Sequence, residues 1–377
     1  MSSRVSVAIE RLTLTDFRNY SLLVLEPSAP LVALVGDNGA GKTNILEAIS
    51  LLTAGRGLRR AALADIARLD GPGGWAISAL LRTQAGETVI GTGYTPGEAG
   101  RRVRIDGTEA RSSEALLDHL RVLWLVPSMD GLFTGPGSER RRFLDRLTLS
   151  LDPTHGRRVN DYERALRQRN RLLEEGGSAA YLDSIERQVA ELGAAVALAR
   201  GETVSLLQGC IDAQAATGLP FPRALLAVDG EFEVETQGLG ASDREDRLRR
   251  MLRDGRTRDR AAGRTLCGPH RSDLVVQHAA KGIPAAQSST GEQKALLVGL
   301  ILAHADLTAA VAGMTPVLLL DEIAAHLDPG RRAALFSRLE ALACQVVMTG
   351  TDAGLFEAMP AGSEILAVAG NRATRLS

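Results

Sequence analysis

Short apolar runs and helical periodicity alternate at both ends of the chain. Leu31 to Val35 is a continuous apolar run, which is typical of a buried parallel strand. Asn44 to Thr53 then places apolar side chains three and four residues apart, which predicts a helix. Near the other end, Pro316 to Leu320 and Gln345 to Thr349 are predicted strands, with a helix from Pro329 to Leu342 between them. Both ends therefore favour α/β structure.

The middle of the chain changes to helical periodicity. Further strands are predicted at Ser6–Leu14, Leu22–Leu25, Arg121–Val126, Phe221–Val234 and Asp273–His278, with antiparallel strands and turns over Trp75–Gly107. Further helices are predicted at Glu139–Leu149, Val159–Glu175, Tyr181–Leu207, Asp243–Asp259 and Thr290–Leu307. We predict one α/β domain built from residues 1–134 and 262–377, with a mostly helical insertion over residues 135–261.

Composition narrows the class of protein. No run of 18 or more apolar residues is present, so no membrane-spanning helix is expected. The first ten residues lack the apolar region of a signal peptide, and a cytoplasmic location is expected. The three cysteines, Cys210, Cys267 and Cys344, are far apart in sequence, which favours reduced packing residues over a disulfide or zinc framework.

Charge is distributed unevenly, although the formal net charge of the chain is only −1. Residues 139–171 contain ten arginines against five acids, and residues 243–264 contain nine arginines against five acids. Residues 295–377 contain five arginines against eight acids. Positive charge is therefore concentrated in the predicted insertion, where arginines could neutralise DNA phosphates. A solvated, salt-bridged helix face is the alternative for each arginine.

The loop after the first buried strand matches the pattern G-x-x-x-x-G-K-[ST]. Its residues are Gly36, Asp37, Asn38, Gly39, Ala40, Gly41, Lys42 and Thr43. Glycines let backbone N–H groups converge on phosphate oxygens, and the following helix offers its positive N-terminal end. Lys42 is predicted to reach the β- and γ-phosphates of ATP, and the Thr43 hydroxyl to bind Mg²⁺. The flanking strand and helix favour this interpretation over an ordinary Gly-rich turn.

Two acids, Asp321 and Glu322, end the apolar run that begins at Val317. Asp321 is placed to hold Mg²⁺ through water, and Glu322 to polarise the attacking water. Two solvated acids at a strand end are the alternative, but a phosphate loop on the same predicted sheet favours the catalytic interpretation. Roughly 275 residues separate Lys42 from Asp321, so a large insertion must lie between the two halves of the site.

The segment Ser288 to Lys294 resembles the ABC signature, Leu-Ser-Gly-Gly-Gln, and matches it in register at Ser289 and Gly291. In ABC proteins this loop faces the nucleotide of a second subunit, so ATP would lie between two chains. An ordinary N-cap at the start of the following helix is the alternative. Asp328 matches the D-loop and also suits an N-cap before Pro329, and both interpretations can hold together.

Four longer segments resemble the RecF family of bacterial recombination-repair proteins. They are Leu12–Tyr20, Leu132–Asp145, Gly268–Leu274 and Leu318–Leu335. They occur in family order and extend over nearly the whole chain. The resemblance implies an ABC-type P-loop ATPase head built from both chain ends, with an inserted helical arm. It also implies ATP binding, ATP-dependent homodimerisation and slow ATP hydrolysis that serves as a switch.

The resemblance further implies binding to duplex or gapped DNA. Together with RecO and RecR, the family helps to load RecA on single-stranded gaps, which supports repair, replication restart and the SOS response. For the DNA contact we predict arginines of the insertion: Arg140, Arg141, Arg142, Arg164, Arg167 and Arg171. Aromatic residues make up only 3% of the chain, so contact with a duplex backbone is favoured over base stacking. For His270 and Arg271, a DNA or nucleotide contact and a buried turn both remain open.

Other P-loop proteins are less well matched. An ABC-type ATPase subunit of a transport or other non-DNA complex should carry a switch histidine, where this chain has Thr349 or Thr351. An SMC-like enzyme should carry long heptad arms, for which the chain has no room. A small-molecule kinase would not need the Ser289 loop.

Overall fold

The computed structural model of the protein describes residues 6–83, 86–215 and 221–376. Its strands are β1 (Ala8–Phe17), β2 (Tyr20–Leu25), β3 (Leu31–Val35), β4 (Trp75–Thr83), β5 (Gly86–Tyr94), β6 (Arg102–Ile105), β7 (Thr108–Glu109), β8 (Val122–Leu125), β9 (Ala224–Asp229), β10 (Asp273–His278), β11 (Ile283–Pro284), β12 (Val317–Leu320), β13 (Val346–Gly350), β14 (Glu364–Ala369) and β15 (Arg372–Arg375). Its helices are α1 (Lys42–Ser50), α2 (Gly137–Leu151), α3 (His155–Glu174), α4 (Ala179–Ala215), α5 (Glu231–Glu235), α6 (Ala241–Asp254), α7 (Arg256–Ala262), α8 (Thr290–Ala312) and α9 (Pro329–Ala341).

The chain divides into two compact units. Unit 1 comprises Met1–Asp130, Ala213–Pro222 and Ser289–Ser377, so it is assembled from both chain ends. Unit 2 comprises Gly131–Asp212 and Arg223–Ser288. The insertion was expected to end at residue 261, whereas unit 2 continues to Ser288. The reason is strand pairing, because β10 forms an antiparallel ladder with β9 and is thereby tied to unit 2.

The main sheet of unit 1 has the strand order β15-β14-β3-β13-β12-β8 over the described residues. Strands β14, β3, β13, β12 and β8 run parallel to one another, and β15 pairs antiparallel with β14 at one edge. Every residue of β3, β12 and β13 is buried, as expected for parallel strands covered on both faces. Because β3, β13 and β12 are parallel, their carboxyl ends lie on the same side of the sheet. The loops that follow β3 and β12 therefore open close to each other.

A second sheet of unit 1 runs β2-β1-β4-β5-β6-β7 in antiparallel pairs, which confirms the prediction for Trp75–Gly107. Side chains along β4 alternate between buried and more exposed, which is typical of a sheet with one face on the core. Phe17 and Trp75 meet edge to face, with ring centroids 5.7 Å apart.

Helix α8 is apolar around most of its surface. By length and composition alone it could cross a membrane, but 72% of its most apolar window is buried inside the protein. It therefore packs as a core helix of unit 1, since a helix that is apolar all round must be covered.

Unit 2 combines α2, α3, α4 up to Asp212, and α5–α7 with a three-stranded sheet in the order β11-β10-β9. Sequence predicted one long strand over Phe221–Val234, but the strand ends at Asp229 and α5 follows. The helix predicted over Asp243–Asp259 is likewise interrupted at Gly255, where α6 ends and α7 begins.

A buried ionic cluster, which we call the Arg169 cluster, lies inside unit 2. The Arg169 side chain is fully buried and forms ion pairs with Glu186 at 3.1 Å and Asp259 at 2.8 Å. It also donates to Thr265 Oγ1 and to the Leu252 carbonyl, each at 2.7 Å. The cluster thereby joins α3, α4, the end of α6, α7 and the segment after α7.

Candidate nucleotide site

The loop between β3 and α1 depends on its glycines. Gly36, Gly39 and Gly41 have φ values of 151°, 84° and 105°, a region that favours glycine. A Cβ atom on Gly41 would lie 2.4 Å from the Tyr20 hydroxyl, and one on Gly36 would lie 2.4 Å from the Val368 carbonyl oxygen. Burial raises the pKa of Tyr20 to about 12, so this hydroxyl stays protonated. The glycine spacing is therefore required by both backbone conformation and close packing.

Helix α1 begins at this loop without a side-chain cap, so its first N–H groups keep no side-chain acceptor. The Lys42 side chain arches back over the loop, where its Nζ donates to the carbonyl oxygens of Gly36 at 2.5 Å and Asp37 at 2.8 Å. Lys42 is buried, which strengthens its interaction with any anion in the loop. The arrangement is that of a phosphate cradle.

Hydroxyl and carboxylate groups from the start of α1 and from the ends of β12 and β13 meet beside the loop. Thr43 Oγ1 lies 3.1 and 3.2 Å from the two carboxylate oxygens of Asp321. Thr349 Oγ1 donates to Asp321 Oδ1 at 2.6 Å and accepts from the Glu322 backbone N–H at 2.9 Å. The structure therefore brings Thr43, which follows Lys42, into contact with Asp321, and Thr349 links Asp321 to the backbone of Glu322. Sequence had linked these residues only by motif.

The donor set of Thr43 and Asp321 suits Mg²⁺, which prefers oxygen ligands and usually binds through one or two protein groups plus phosphate oxygens and waters. Over the described ranges, no group of three or more His, Cys, Asp or Glu residues could hold a metal by itself. A divalent ion at this site would therefore depend on phosphate oxygens for the rest of its coordination.

A buried acid in α1 braces the phosphate loop, and sequence analysis did not identify it. Glu47 accepts from Arg18 at 2.6 and 2.8 Å and from Arg59 at 2.7 Å, and its side chain is only 2% exposed. Asn44, one turn earlier, donates to Asn19 at 2.6 Å and accepts from Arg59 at 2.6 Å. The sequence did carry a signal for Glu47: it is an acid four residues after Thr43, on a helix that otherwise packs apolar side chains.

Ser289 is the N-cap of α8. Its hydroxyl accepts from the Glu292 N–H at 3.4 Å, while the Glu292 carboxylate accepts from the Ser289 N–H at 3.1 Å. These bonds form a capping box, so the N-cap interpretation of this loop is confirmed. Ser289 and Gly291 are both exposed, so the same loop remains open to a partner. Asp328 likewise caps α9, by accepting from the Arg331 N–H at 2.9 Å.

The arginines proposed for DNA divide into two groups. Arg140 forms an ion pair with Asp273 at 2.6 and 2.8 Å, and Arg141 donates to the Ser272 carbonyl at 2.7 Å. Arg140 also donates to the carbonyls of Leu132, Phe133 and Gly135. This geometry commits Arg140 to holding α2 against β10 rather than to a ligand.

The other proposed arginines are exposed. Arg142 is exposed on α2, and the side chains of Arg164, Arg167 and Arg171 on α3 are 72%, 69% and 76% exposed. The three α3 side chains each lie near an acid of their own helix or its end, namely Asp161, Glu163 and Glu175. Such surface pairs are weak and exchange readily, so these side chains are available to phosphates.

His270 belongs to a buried turn. Its Nδ1 lies 2.9 Å from the Tyr162 hydroxyl and its Nε2 lies 3.0 Å from the Thr265 carbonyl, so a neutral ring that donates from Nε2 satisfies both contacts. Burial, with the positive charges of Arg271 and Arg141, lowers the pKa of His270 to about 4. His270 is thus a packing residue of unit 2, whereas Arg271 is exposed.

Comparisons with known proteins identify the family of the chain. Residues 8–374 match the family described as RecF/RecN/SMC N terminal domain. The chain is 58% identical over 363 residues to the DNA replication and repair protein RecF of Mesorhizobium japonicum. The alignment covers 96% of this chain and 96% of the relative. The chain is 56% identical over 371 residues to the protein of the same name from Brucella suis, which covers 98% of this chain and 96% of the relative.

Solved structures show the same fold. The structure of the recombination mediator protein RecF-ATPrS in the RecFOR pathway superposes with a TM-score of 0.88 at 23% identity and covers 100% of both chains. An Smc head bound to the C-winged helix domain of ScpA superposes with a TM-score of 0.56 at 16% identity, covering 98% of this chain and 96% of that one. The chain therefore has the α/β fold of an ABC-type ATPase head, as predicted.

Proposed function

The chain belongs to the RecF family of DNA replication and repair proteins, and from this premise we propose that it is an ATP-dependent DNA-binding switch of recombinational repair. The observation that carries the proposal is the contact of Thr43, which follows Lys42 at the end of the glycine loop, with Asp321 at the end of β12. Relatives described as RecF-ATP and RecF-ATPrS share its fold.

Each residue of the site has a distinct task in this proposal. The glycine loop and Lys42 bind the phosphates of ATP, and Thr43 and Asp321 hold Mg²⁺, which neutralises phosphate charge when bound. Glu322 orients the attacking water and accepts its proton, because it follows Asp321 directly at the end of β12. Hydrolysis is slow, stimulated by DNA, and serves to reset the switch.

Two copies complete the nucleotide site. In this proposal the exposed N-terminus of α8, with Ser289 and Gly291, contacts the γ-phosphate bound by the other copy. ATP would then be part of the interface of a homodimer, and dimerisation would depend on it. This places ATP binding, rather than product formation, at the centre of the function.

Duplex or gapped DNA is the proposed ligand of the ATP-bound dimer. The exposed arginines of unit 2, Arg142, Arg164, Arg167 and Arg171, are the proposed phosphate contacts. With RecR and RecO, the dimer would assist recombinase loading in the cytoplasm. The resemblance of the chain to proteins of the RecFOR pathway supports these partners.

Sedimentation with and without ATP and gapped duplex DNA tests the proposal. Wild-type protein should shift from monomer to dimer with ATP, whereas Lys42→Met should remain a monomer because the phosphates lose their main cation. A Lys42→Met protein that still dimerises on ATP addition would contradict the proposed role.

A mixing experiment tests the composite site. Ser289→Asp keeps a good N-cap but places a negative charge where the γ-phosphate should lie. Each single variant should be inactive in ATP hydrolysis. A one-to-one mixture of Ser289→Asp with Lys42→Met should regain ATP hydrolysis, since only a mixed dimer pairs an intact Lys42 with an intact Ser289. A mixture that stays inactive would exclude a site shared between two copies.

A further inference from the structure

Thr349 is a polar residue at the end of a strand that is otherwise apolar. Strand β13 contains Val346, Val347 and Met348 before it, all buried. Thr349 itself is fully buried and lies opposite Leu34 of β3 in the parallel ladder. Valine has nearly the same shape and would satisfy the packing of this position, so the hydroxyl group calls for a separate explanation.

The Thr349 hydroxyl group forms one hydrogen bond with Glu322 and one with Asp321. It accepts from the backbone N–H of Glu322 at 2.9 Å, and a backbone N–H can only donate. Its own proton is therefore free to be donated to Asp321 Oδ1, which lies 2.6 Å away. One atom of β13 thus fixes the side chain of the first acid and the backbone of the second.

The backbone of Glu322 makes the second bond important. Glu322 has a φ of 53°, in the left-handed region that a non-glycine residue adopts only when its surroundings hold it there. This conformation turns the chain sharply at the end of β12 and sets the direction in which the Glu322 side chain leaves the sheet. The bond from its N–H to Thr349 is a contact that holds the turn.

Asp321 receives complementary support from the phosphate loop. Thr43 Oγ1 lies 3.1 and 3.2 Å from its two oxygens, on the side of α1, while Thr349 approaches Oδ1 from β13. The Asp321 carboxylate is therefore held between two hydroxyl groups, one from the start of α1 and one from β13. With Thr349 alone removed, Asp321 would keep Thr43 but lose its contact on the strand side.

We propose that Thr349 is a positioning residue of the ATP site, which sets the Asp321 carboxylate and the Glu322 backbone in their hydrolytic arrangement through one hydroxyl group. The inference rests on the proposed function, because it assigns Thr349 to the hydrolysis step and not to ATP binding. Lys42 and the glycine loop, which hold the phosphates, do not depend on this contact. A change at Thr349 should therefore separate hydrolysis from binding.

The test uses the full chain and compares Thr349→Val, which removes the hydroxyl but keeps the shape, with Thr349→Ser, which keeps the hydroxyl. Thr148→Val is the matched control, because Thr148 is also a buried threonine whose hydroxyl donates to a carbonyl, that of Leu144 at 3.0 Å, but lies in unit 2. Four quantities are measured for each protein: kcat for ATP hydrolysis, the Mg²⁺ concentration for half-maximal hydrolysis, the Kd for ATP in EDTA, and Tm.

Thr349→Val should lower kcat by about 10-fold to 100-fold, as expected when a reacting group is misplaced by a fraction of an ångström. It should leave the Kd for ATP in EDTA within about 3-fold of wild type, since the phosphate cradle is intact. The Mg²⁺ concentration for half-maximal hydrolysis should rise, because Asp321 is less well held. Thr349→Ser should restore kcat, and Thr148→Val should leave it unchanged.

The result that overturns the inference is a Thr349→Val protein with kcat within about 2-fold of wild type. An equal loss of kcat in Thr148→Val would also overturn it, by reducing the effect to lost stability. If Thr349→Val does not fold, Thr349→Cys replaces it in the test. Cysteine is similar in volume to threonine, but its thiol is a weaker hydrogen-bond donor, so the same criteria apply. Failure of the proposed function is distinguishable, because wild-type protein would then neither bind nor hydrolyse ATP.

Discussion

Replacing Arg169 with leucine should destabilise unit 2 strongly. Arg169 is the positive centre of a fully buried cluster, where it faces Glu186 on α4 and Asp259 on α7. Leucine roughly fills the stem of the side chain but removes the guanidinium group. Both acids then lose a partner in a region from which water is excluded.

The size of the effect follows from what each acid retains. Glu186 keeps Arg256, which donates to it at 2.5 and 3.0 Å. Asp259 keeps only the Leu266 N–H at 3.1 Å among its described side-chain contacts, so it becomes a buried carboxylate without a counter-ion. Removing one partner of a buried pair costs about 3–5 kcal/mol. The free energy of unfolding of unit 2 should fall by about 4 kcal/mol.

Urea unfolding offers a measurement that separates the two units. Both tryptophans, Trp75 and Trp124, lie in unit 1, so tryptophan fluorescence reports on that unit. Far-UV circular dichroism also reports on the helices of unit 2. With a slope of about 3 kcal/mol per molar urea, a loss of about 4 kcal/mol moves the midpoint of the circular dichroism transition down by about 1.3 M. The fluorescence midpoint should move less.

Two variants make the reasoning refutable. Arg171→Leu is the matched control, because Arg171 lies on the same helix with a side chain that is 76% exposed, and its loss should leave both midpoints unchanged. Arg169→Leu combined with Asp259→Leu removes the unpaired acid and should recover part of the lost stability. A single variant within about 1 kcal/mol of wild type, or a double variant no better than the single one, would refute the argument.

Three further outcomes are expected. Glu322→Gln should accumulate an ATP-bound dimer because it binds ATP but cannot accept the proton of the attacking water; sedimentation that shows only monomer would contradict this. Replacing Arg164, Arg167 and Arg171 together by alanine should reduce the slope of log Kd against log salt by about 2 to 3, since each phosphate contact releases a counterion, while Arg82→Ala in unit 1 should not. Stability of unit 2 should fall as pH drops from 6.5 towards 4, because the pKa of His270 is about 4 in the folded protein and the unfolded chain takes up the proton first. That loss is at most about 3 kcal/mol, and His270→Gln should flatten the pH dependence measured by urea unfolding.

Local sequence patterns predicted the structure correctly at positions that can be filled by only one type of side chain. The phosphate loop was predicted in place, because only glycine tolerates the positive φ values of Gly36 and Gly41 and only a lysine at position 42 reaches back over the loop. The buried strands were predicted for a related reason: a strand covered on both faces must be apolar at every position. The predicted bounds of Leu31–Val35 and Asp273–His278 are confirmed.

The sequence could not separate arginines whose partners are distant along the chain from those that are exposed. Arg140 and Arg142 are neighbours in one arginine run, yet Arg140 is bound to Asp273, 133 residues away, and Arg142 is exposed. Arg169 stands among the exposed arginines of α3 but lies on the buried face, seven residues from Tyr162 and four from Leu173. Helical periodicity therefore indicated that Arg169 is buried, although a charged residue is usually expected at the surface.

What the sequence alone determined is the chemistry available to this protein: a glycine cradle with a lysine, two acids after an apolar strand, and a serine at the start of an apolar helix. Only the tertiary structure decided which of these groups act together. It placed Thr349 against both acids and Glu47 behind the loop, and it enclosed Arg169 between two carboxylates. The physical reason is that propensity and periodicity depend on neighbours along the chain, whereas burial and hydrogen bonding depend on neighbours in space.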